Sequence, residues 1–318
     1  SQQFTATVTA VNDAPVLADI INQSTEEEVA LEILLSASDN DGDDVTFTAD
    51  SDDTTNVTTD VTGSLLTLTP TLNFNGLVEV TVIASDNGVP SQSDTTTFSL
   101  TVTPVNDTPV LASIDNPSAV LEDGDNISVS VTPTDVDAGA TLTVSVSTNN
   151  GSLFPGGSIT IADTTGDSGT SRTITLNPAD NQSGTALVTV SVTDGSESVS
   201  QQFTATVTAV NDAPVITSTA TTSSTEDAAY TYTITASDVD ANTLTYSAPT
   251  LPGWLSFNAD THVLSGTPTN DNVGAHSVTL RVNDGTVDVD QSFTVTVANT
   301  NDTPVLASID NPSAVLED

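Results

Sequence analysis

Aspartate recurs along this chain at spacings suited to holding a cation through oxygen. Three Asp-x-Asp pairs stand at Asp39/Asp41, Asp135/Asp137 and Asp238/Asp240, and each is followed by a later single aspartate, Asp86, Asp194 or Asp284. Ahead of each set lies an Asn-Asp-(Ala/Thr)-Pro-Val segment beginning at Asn12-Asp13, Asn106-Asp107 or Asn211-Asp212, with a fourth copy at Asn301-Asp302. From the linker Asn to the first aspartate of the pair the distance is 27, 29 and 27 residues. Acidic patches open the repeats at Glu26-Glu27-Glu28, Glu122-Asp123 and Glu226-Asp227. Carboxylates gathered this closely repel unless a cation lies among them. An oxygen-only set in a flexible cluster suits calcium, whereas magnesium keeps its waters and zinc or copper asks for imidazole or thiolate. The chain has no cysteine and only His262 and His276. Solvated turns capped by Asx hydrogen bonds are the bland alternative, and threefold recurrence at fixed spacing argues against it. Asp39-Asn40-Asp41-Gly42-Asp43 departs from an EF-hand loop, which needs its glycine at the sixth position and flanking helices.

The elements that must position these groups read as strands. Alternating apolar residues mark the last strand of each repeat at Phe98, Leu100, Val102; Phe203, Ala205, Val207; and Phe293, Val295, Val297, with threonine largely on the opposite face. The preceding strand repeats the pattern at Val78 to Ala84, Val188 to Val192 and Val278 to Val282. Near the front of each repeat, Leu31 to Ala37, Ile127 to Val131 and Tyr230 to Ala236 alternate in the same way. Successive side chains in a strand point to opposite faces. By parity, each Asp-x-Asp pair and each later aspartate therefore continues a core-facing row. Short alternating strands with turn signals between them predict an all-β fold: a tandem array of seven-stranded Greek-key β-sandwiches, antiparallel and forming an elongated rod. The first strand can carry each acidic patch to the far end of its domain, facing the next linker.

The linker segments recur at steps of 94, 105 and 90 residues, about one small domain each. Their proline ends a strand ladder. Residues 1–16 recur unchanged at 200–215, and residues 106–123 at 301–318. The expected organisation is the tail of a preceding repeat (1–12), domains at 13–105, 107–210 and 212–300, and the start of a following repeat (301–318), as in a window cut from a longer array.

Composition narrows the function. A net charge of −41, with 43 acidic residues against two arginines and no lysine, excludes nucleic acid and anionic membrane as partners. Regular alternation excludes a disordered acidic tail. With no disulfide to staple small domains, metal is the expected staple. No signal peptide or transmembrane run is visible, though a window cut from a longer array would omit both, and no membrane insertion of this segment is expected. No nucleophile–base pair or phosphate-binding glycine loop is present, and the reading is non-enzymatic. Arg172 and Arg281 read as surface residues, and Trp254 as core rather than as a sugar platform.

The late-Asp strand, final strand and Asn-Asp-x-Pro-Val order resembles cadherin repeats, most closely from Ala84-Ser85-Asp86-Asn87-Gly88-Val89-Pro90 through Val110. The chain looks most like the repeats of giant secreted bacterial surface adhesins. Its third domain, with Leu251 to Phe257 and Leu264-Ser265-Gly266-Thr267-Pro268, is similar to the dystroglycan-type cadherin-like subfamily. The resemblance implies that Asn106 and Asp107 join Asp135, Asp137 and Asp194 at one joint, and Asn211 and Asp212 join Asp238, Asp240 and Asp284 at the next. Asn12 and Asp13 would stand likewise with Asp39, Asp41 and Asp86, and Asn301 and Asp302 would begin a fourth set. The preceding domain would contribute Glu27 (among Glu26 to Glu28), Glu122 or Glu226. The animal Leu-Asp-Arg-Glu ligand motif is missing, with Asn73-Phe74-Asn75, Asp180-Asn181 and Asn270-Asp271 at comparable positions, which leaves about one to three ions per joint. The expected function is a calcium-stiffened extender of an extracellular, cell-surface adhesin. Its partners would be calcium, neighbouring repeats and like molecules in a filament or biofilm. A self-associating or glycan-binding module is the alternative, disfavoured by an aromatic content of 4%.

Overall fold

The computed structural model describes residues 2–308; the part of the expected fourth repeat beyond residue 308 lies outside them. Nine strands form the first sandwich: β1 (Val16–Leu17), β2 (Gln23–Glu26), β3 (Leu31–Leu34), β4 (Ala37–Ser38), β5 (Thr46–Ser51), β6 (Val57–Thr62), β7 (Leu65–Pro70), β8 (Gly76–Ser85) and β9 (Ser93–Thr103). The order β2-β9-β8-β5 makes one sheet, β3-β7-β6 the other, and β1-β4 a short extra pair. Val80, Val82, Ala84, Phe98 and Leu100 from the first sheet pack against Leu66, Leu68 and Val57 from the second. Each comes from an alternating run, so every second side chain leaves water. Burying one such side chain contributes roughly 1.5–3 kcal/mol.

The second set is β10 (Val120–Leu121), β11 (Ile127–Val131), β12 (Thr141–Thr148), β13 (Ile159–Ile161), β14 (Thr165–Asp167), β15 (Arg172–Leu176), β16 (Gly184–Thr193) and β17 (Ser198–Thr208). Its sheets run β10-β17-β16-β12-β14 and β11-β15-β13. The third comprises β18 (Val215–Ile216), β19 (Ser223–Thr225), β20 (Tyr230–Thr233), β21 (Ala236–Ser237), β22 (Thr245–Thr250), β23 (Leu255–Asn258), β24 (Val263–Gly266), β25 (Gly274–Asn283) and β26 (Asp288–Ala298), with one 3₁₀ turn at Asn270–Asn272. By contact density the chain forms two compact units. One holds residues up to Ala119 with Asn126–Asn177 and Thr185–Thr206; the other holds Val120–Asp125, Pro178–Gly184 and residues from Val207 onward.

Two features differ from a purely antiparallel sandwich with continuous front strands. First, β2 pairs with β9 in parallel, Gln23 opposite Leu100 and Glu26 opposite Thr103; β10 with β17 and β19 with β26 do the same. A chain that enters a sandwich at one end and leaves at the other runs its first and last strands in the same direction. That geometry sets the acidic patch after β2 beside the outgoing linker. Second, the front strand is interrupted. Leu35 N donates to Ser64 O and Ala18 N to Ser36 O, so the chain leaves β7 and continues as β4 against β1. The Asp-x-Asp segment beyond it is a turn, with Asp41 N on Asp39 Oδ1 at 2.8 Å. Strand parity thus holds for Asp39, which is half-buried, and fails at exposed Asp41.

Arg172 corrects the surface reading: it is 1% exposed. It opens β15 on the face that Ile174 and Leu176 bury. The Arg-Thr-Ile-Thr-Leu alternation carried that signal. Arg281 does lie at the surface, in ion pairs with Asp288 and Asp290 at 2.7 Å. Trp254 packs partly buried against the third core, edge-on to Tyr230 at 5.8 Å. Opposite Tyr230 in the ladder, Gly266 lies so close to β23 that an added Cβ would stand 2.0 Å from Trp254 O. Gly266→Ala is therefore expected to destabilise the third sandwich by about 3 kcal/mol, as overpacking does. The check is thermal unfolding followed by the fluorescence of Trp254, the chain's single tryptophan; an unchanged midpoint would contradict this packing.

Candidate metal centres at the repeat heads

In the first compact unit, Glu27 is 4% exposed although ionisable. The parallel β2–β9 pair places it: Glu27 N donates to Thr103 O at 3.0 Å, and Glu27 Oε1 accepts from Val105 N at 2.6 Å. The linker then meets the next head, where Asp107 N donates to Asp137 Oδ2 at 2.9 Å. Carboxylate oxygens of Glu27, Asp107 and Asp137 lie within 4.8 Å of one another. Asp137 N donates to Asp135 Oδ1 at 2.9 Å, while Asp135 Oδ2 is buried with no hydrogen-bond partner. Partial burial, then the charges of Asp137, Glu27, Asp135 and Glu197, raises the Asp107 carboxyl above its ordinary range. Negative charge is thus disfavoured there in the absence of a cation.

Asp194 sits differently. Its Oδ1 accepts from Ser196 N and Glu197 N at 2.6 and 2.7 Å, and its Oδ2 accepts from Asn106 Nδ2 at 3.0 Å. Backbone donation from Glu197 and Ser196, then the Asn106 amide, holds it below the usual carboxylate range. The later aspartate of each repeat therefore anchors the linker asparagine. Asn12 Nδ2 to Asp86 Oδ2 (2.9 Å) and Asn211 Nδ2 to Asp284 Oδ2 (2.9 Å) repeat the contact. Burial pushes Asp86 up, but donors from Gln92, Asn12 and Gly88 outweigh it and lower the carboxyl. Asp284 is lowered first by Asn211 and then by Val287.

The first head has the same plan. Asp13 N donates to Asp41 Oδ2 at 2.7 Å, Asn40 Nδ2 to Asp13 Oδ2 at 2.9 Å, and Asp39 Oδ2 is buried without a partner. Asp39, Asp41 and Asp43 form a second group with oxygens within 4.8 Å of one another. Asp43 was missed in the sequence, although it continues the odd-numbered row of Asp39 and Asp41. Burial, then Asp39, Asp86, Asp41 and Asp44, raises its carboxyl.

In the second compact unit, Glu122 (4% exposed) accepts from Val210 N at 2.8 Å. Asp212 N donates to Asp240 Oδ2 at 2.7 Å. Asp238 Oδ2 is again buried and unpartnered. Burial, then Asp123, Asp240, Glu122 and Asp238, raises Asp212. Asn242, also missed, donates to Asn211 Oδ1 at 3.1 Å. Beside these groups lies a hollow of about 500 Å³ lined by Glu122, Asn181, Asn211, Asp240 and Asn242 among others. At the end of this unit Glu226 accepts from Thr300, its Oε2 buried without a partner. Asp302 accepts from Asn270, and Asn301 is exposed.

A buried anionic oxygen with no donor is costly, and here the same atom is left so in three equivalent aspartates. The surrounding set is oxygen throughout. Both facts fit a hard divalent cation such as calcium, with Glu27, Asp107, Asp135 and Asp137, or their equivalents, to hold it. Among the described residues, no helix is long and apolar enough to cross a membrane.

The sequence profile of the family described as "Bacterial Ig domain" matches residues 12–103 and 106–209, and that of "Putative Ig domain" matches residues 213–298. No curated protein matches. Among solved structures, Protocadherin Gamma B2 extracellular cadherin domains 1-5 is similar at TM-score 0.54 and 14% identity, over 92% of this chain and 62% of that one. PcdhgB3 EC1-4 is similar at TM-score 0.51 and 16% identity, over 91% and 76%. Both show the fold alone. The endo-fucoidan hydrolase MfFcnA4 from glycoside hydrolase family 107 matches at TM-score 0.30 and 20% identity, over 92% of this chain and 45% of that one; at that score the likeness says nothing about activity. The chain thus spans about half the length of some of the structures it matches.

Proposed function

The chain belongs to the bacterial Ig domain family, and from that premise we propose that it is a calcium-stiffened extender segment of a long extracellular adhesin or surface filament. Each repeat contributes length, and calcium at each head fixes one domain against the next. The buried, unpartnered oxygens of Asp39, Asp135 and Asp238 carry this reading, because one cation per head would satisfy all three in the same way. Glu27, Asp107 and Asp137 would share the ion from three segments of chain. Asp194, which accepts from Ser196, Glu197 and Asn106, would hold Asn106 and so the linker. Partners are calcium, neighbouring repeats, and like molecules in a filament or biofilm. The role is mechanical and asks for no catalytic group.

Isothermal titration of residues 1–318 tests the ion itself. Calcium is expected to bind with an affinity on the order of 10⁻⁴–10⁻³ M or tighter, in the range of extracellular modules. Magnesium, which dehydrates reluctantly, should bind more weakly. Absence of calcium heat at millimolar concentration, or equal preference for magnesium, would remove the metal from the reading.

A further inference from the structure

The second repeat contains a connection that the other two lack. Between β13 and β15 the chain takes residues 162–171, where the first sandwich spends residues 63–64 between β6 and β7 and the third spends 259–262 between β23 and β24. The longer connection includes β14, which adds to the edge of β12 with Leu142 opposite Gly166. It turns at 167–170, Thr170 N donating to Asp167 O at 3.2 Å. The turn meets the segment that leads into the Asp-x-Asp pair. Asp135 N donates to Ser168 Oγ at 2.8 Å, Ser168 Oγ donates back to Asp135 O at 3.0 Å, and Gly169 N donates to Pro133 O at 2.9 Å. One hydroxyl, as donor and acceptor together, thus holds both main-chain polar groups of Asp135.

The other heads are held in another way. There β1 pairs with β4, and β18 with β21, just ahead of Asp39 and Asp238. In the second head that pairing shrinks to a single bridge, Val110 with Thr134. The 162–171 connection stands where the ladder is weakest.

Arg172 fastens the connection. Its Nη1 donates to Thr170 O at 2.9 Å, and its Nη2 to Gly166 O at 2.8 Å and Leu142 O at 3.1 Å. All three acceptors are main-chain carbonyls, two on the connection and one on β12. A guanidinium is suited to this because its planar fork offers several donors in fixed directions. Burying a charge among carbonyl dipoles is costly, and a buried arginine in a chain with two basic residues asks for a task that an apolar residue could not perform. The fit is close: a Cβ added at Gly166 would lie 3.1 Å from Arg172 Nη2.

We infer that Arg172 and Ser168 are positioning residues for the cation ligand Asp135, Arg172 acting through the connection it anchors and Ser168 directly on the Asp135 backbone. The inference rests on the calcium reading above and assigns regulation of affinity at the head containing Asp107 to a part of the fold absent from the head containing Asp212.

The test uses residues 1–318 carrying Ser168→Ala, Arg172→Lys or Arg172→Met. Calcium titrations would be followed by the amide signals of Gly139, beside Asp137, and Asn242, beside Asp240. Ser168→Ala and Arg172→Met are expected to weaken calcium at Gly139 on the order of 10-fold, as loss of an outer-shell partner does, and to leave Asn242 unaltered. Arg172→Lys should fall between wild type and Arg172→Met. Should Arg172→Met fail to fold, Ser168→Ala, which removes one exposed hydroxyl, decides. Unchanged affinity at Gly139 in Ser168→Ala, or equal loss at both reporters, overturns the assignment. If the wild-type protein binds calcium at neither head, the calcium reading itself fails. In that event hydrogen exchange of the Asp135 and Gly169 amides in chelator decides the brace: faster exchange in Ser168→Ala and Arg172→Lys supports it, and unchanged rates overturn it.

Discussion

Chelating calcium is expected to collapse the distance distribution of residues 1–318 in small-angle scattering from one long, well-defined maximum to a shorter and broader one. A domain of about 100 residues has a radius of gyration near 13 Å, so three in line with calcium should reach roughly 110–140 Å. Without the ion, Glu27, Asp107, Asp135 and Asp137 bring negative charge to one head, and their raised neighbour potential is already visible at Asp107. Self-repulsion of unneutralised charge opposes a compact arrangement. Interfaces between domains in one chain are small by default and permit relative motion, so on the proposed reading the stiffness would come from the cation at each head. Far-ultraviolet dichroism should change little meanwhile, since each sandwich buries its own apolar residues. Equal maximum dimensions in calcium and chelator would show that the metal does not set the shape, and the extender would then lose its stiffening mechanism even if calcium binds.

Asp137→Ala should separate the calcium-bound from the calcium-free protein more sharply than any other single change at that head. In calcium the variant loses one ligand. If affinity falls about 100-fold with calcium well above its dissociation constant, mass action removes about 2.7 kcal/mol of stabilisation, a drop on the order of 10 °C for a domain of this size. In chelator two effects oppose. The variant loses the Asp107 N to Asp137 Oδ2 bond of 2.9 Å, and it also removes a charge that disfavours ionised Asp107. The expected change in chelator is a few degrees or less. Asp50→Ala, at an exposed aspartate on β5, is the control and should melt like wild type in both conditions. A loss for Asp137→Ala that is the same with and without calcium would make Asp137 an ordinary structural residue.

The strand pattern was legible because burial in a sandwich acts on every second residue. Val78, Val80, Val82 and Ala84 announce their face, and all four are buried. Recurrence did the same for the acidic sets: the eye needs no coordinates to see Asp39/Asp41 return at Asp135/Asp137 and Asp238/Asp240. Arg172 was legible too, through its place in the Ile174 and Leu176 row, yet charge outweighed parity in the reading. Asp43 and Asn242 were harder, because the first repeat has aspartate where the others have Gly139 and Asn242, and a residue that does not recur gives no signal.

Sequence alone determined the all-β class, the repeat and the recurrence of the carboxylate sets, since each depends on residue type at a given spacing along the chain. The tertiary structure alone decided which carboxylate oxygens meet donors and which do not. Parallel pairing of β2 with β9 carries Glu27 to the outgoing linker, where its carboxylate accepts from the amide of Val105. Hydrogen-bond donors reach both oxygens of Asp194 and leave Asp135 Oδ2 buried and unpartnered, though both are aspartates following strands. The hold of Ser168 on Asp135 spans 33 residues of sequence. Partners of that kind are set by how sheets cross and turns fold back, and no periodicity along the chain records them.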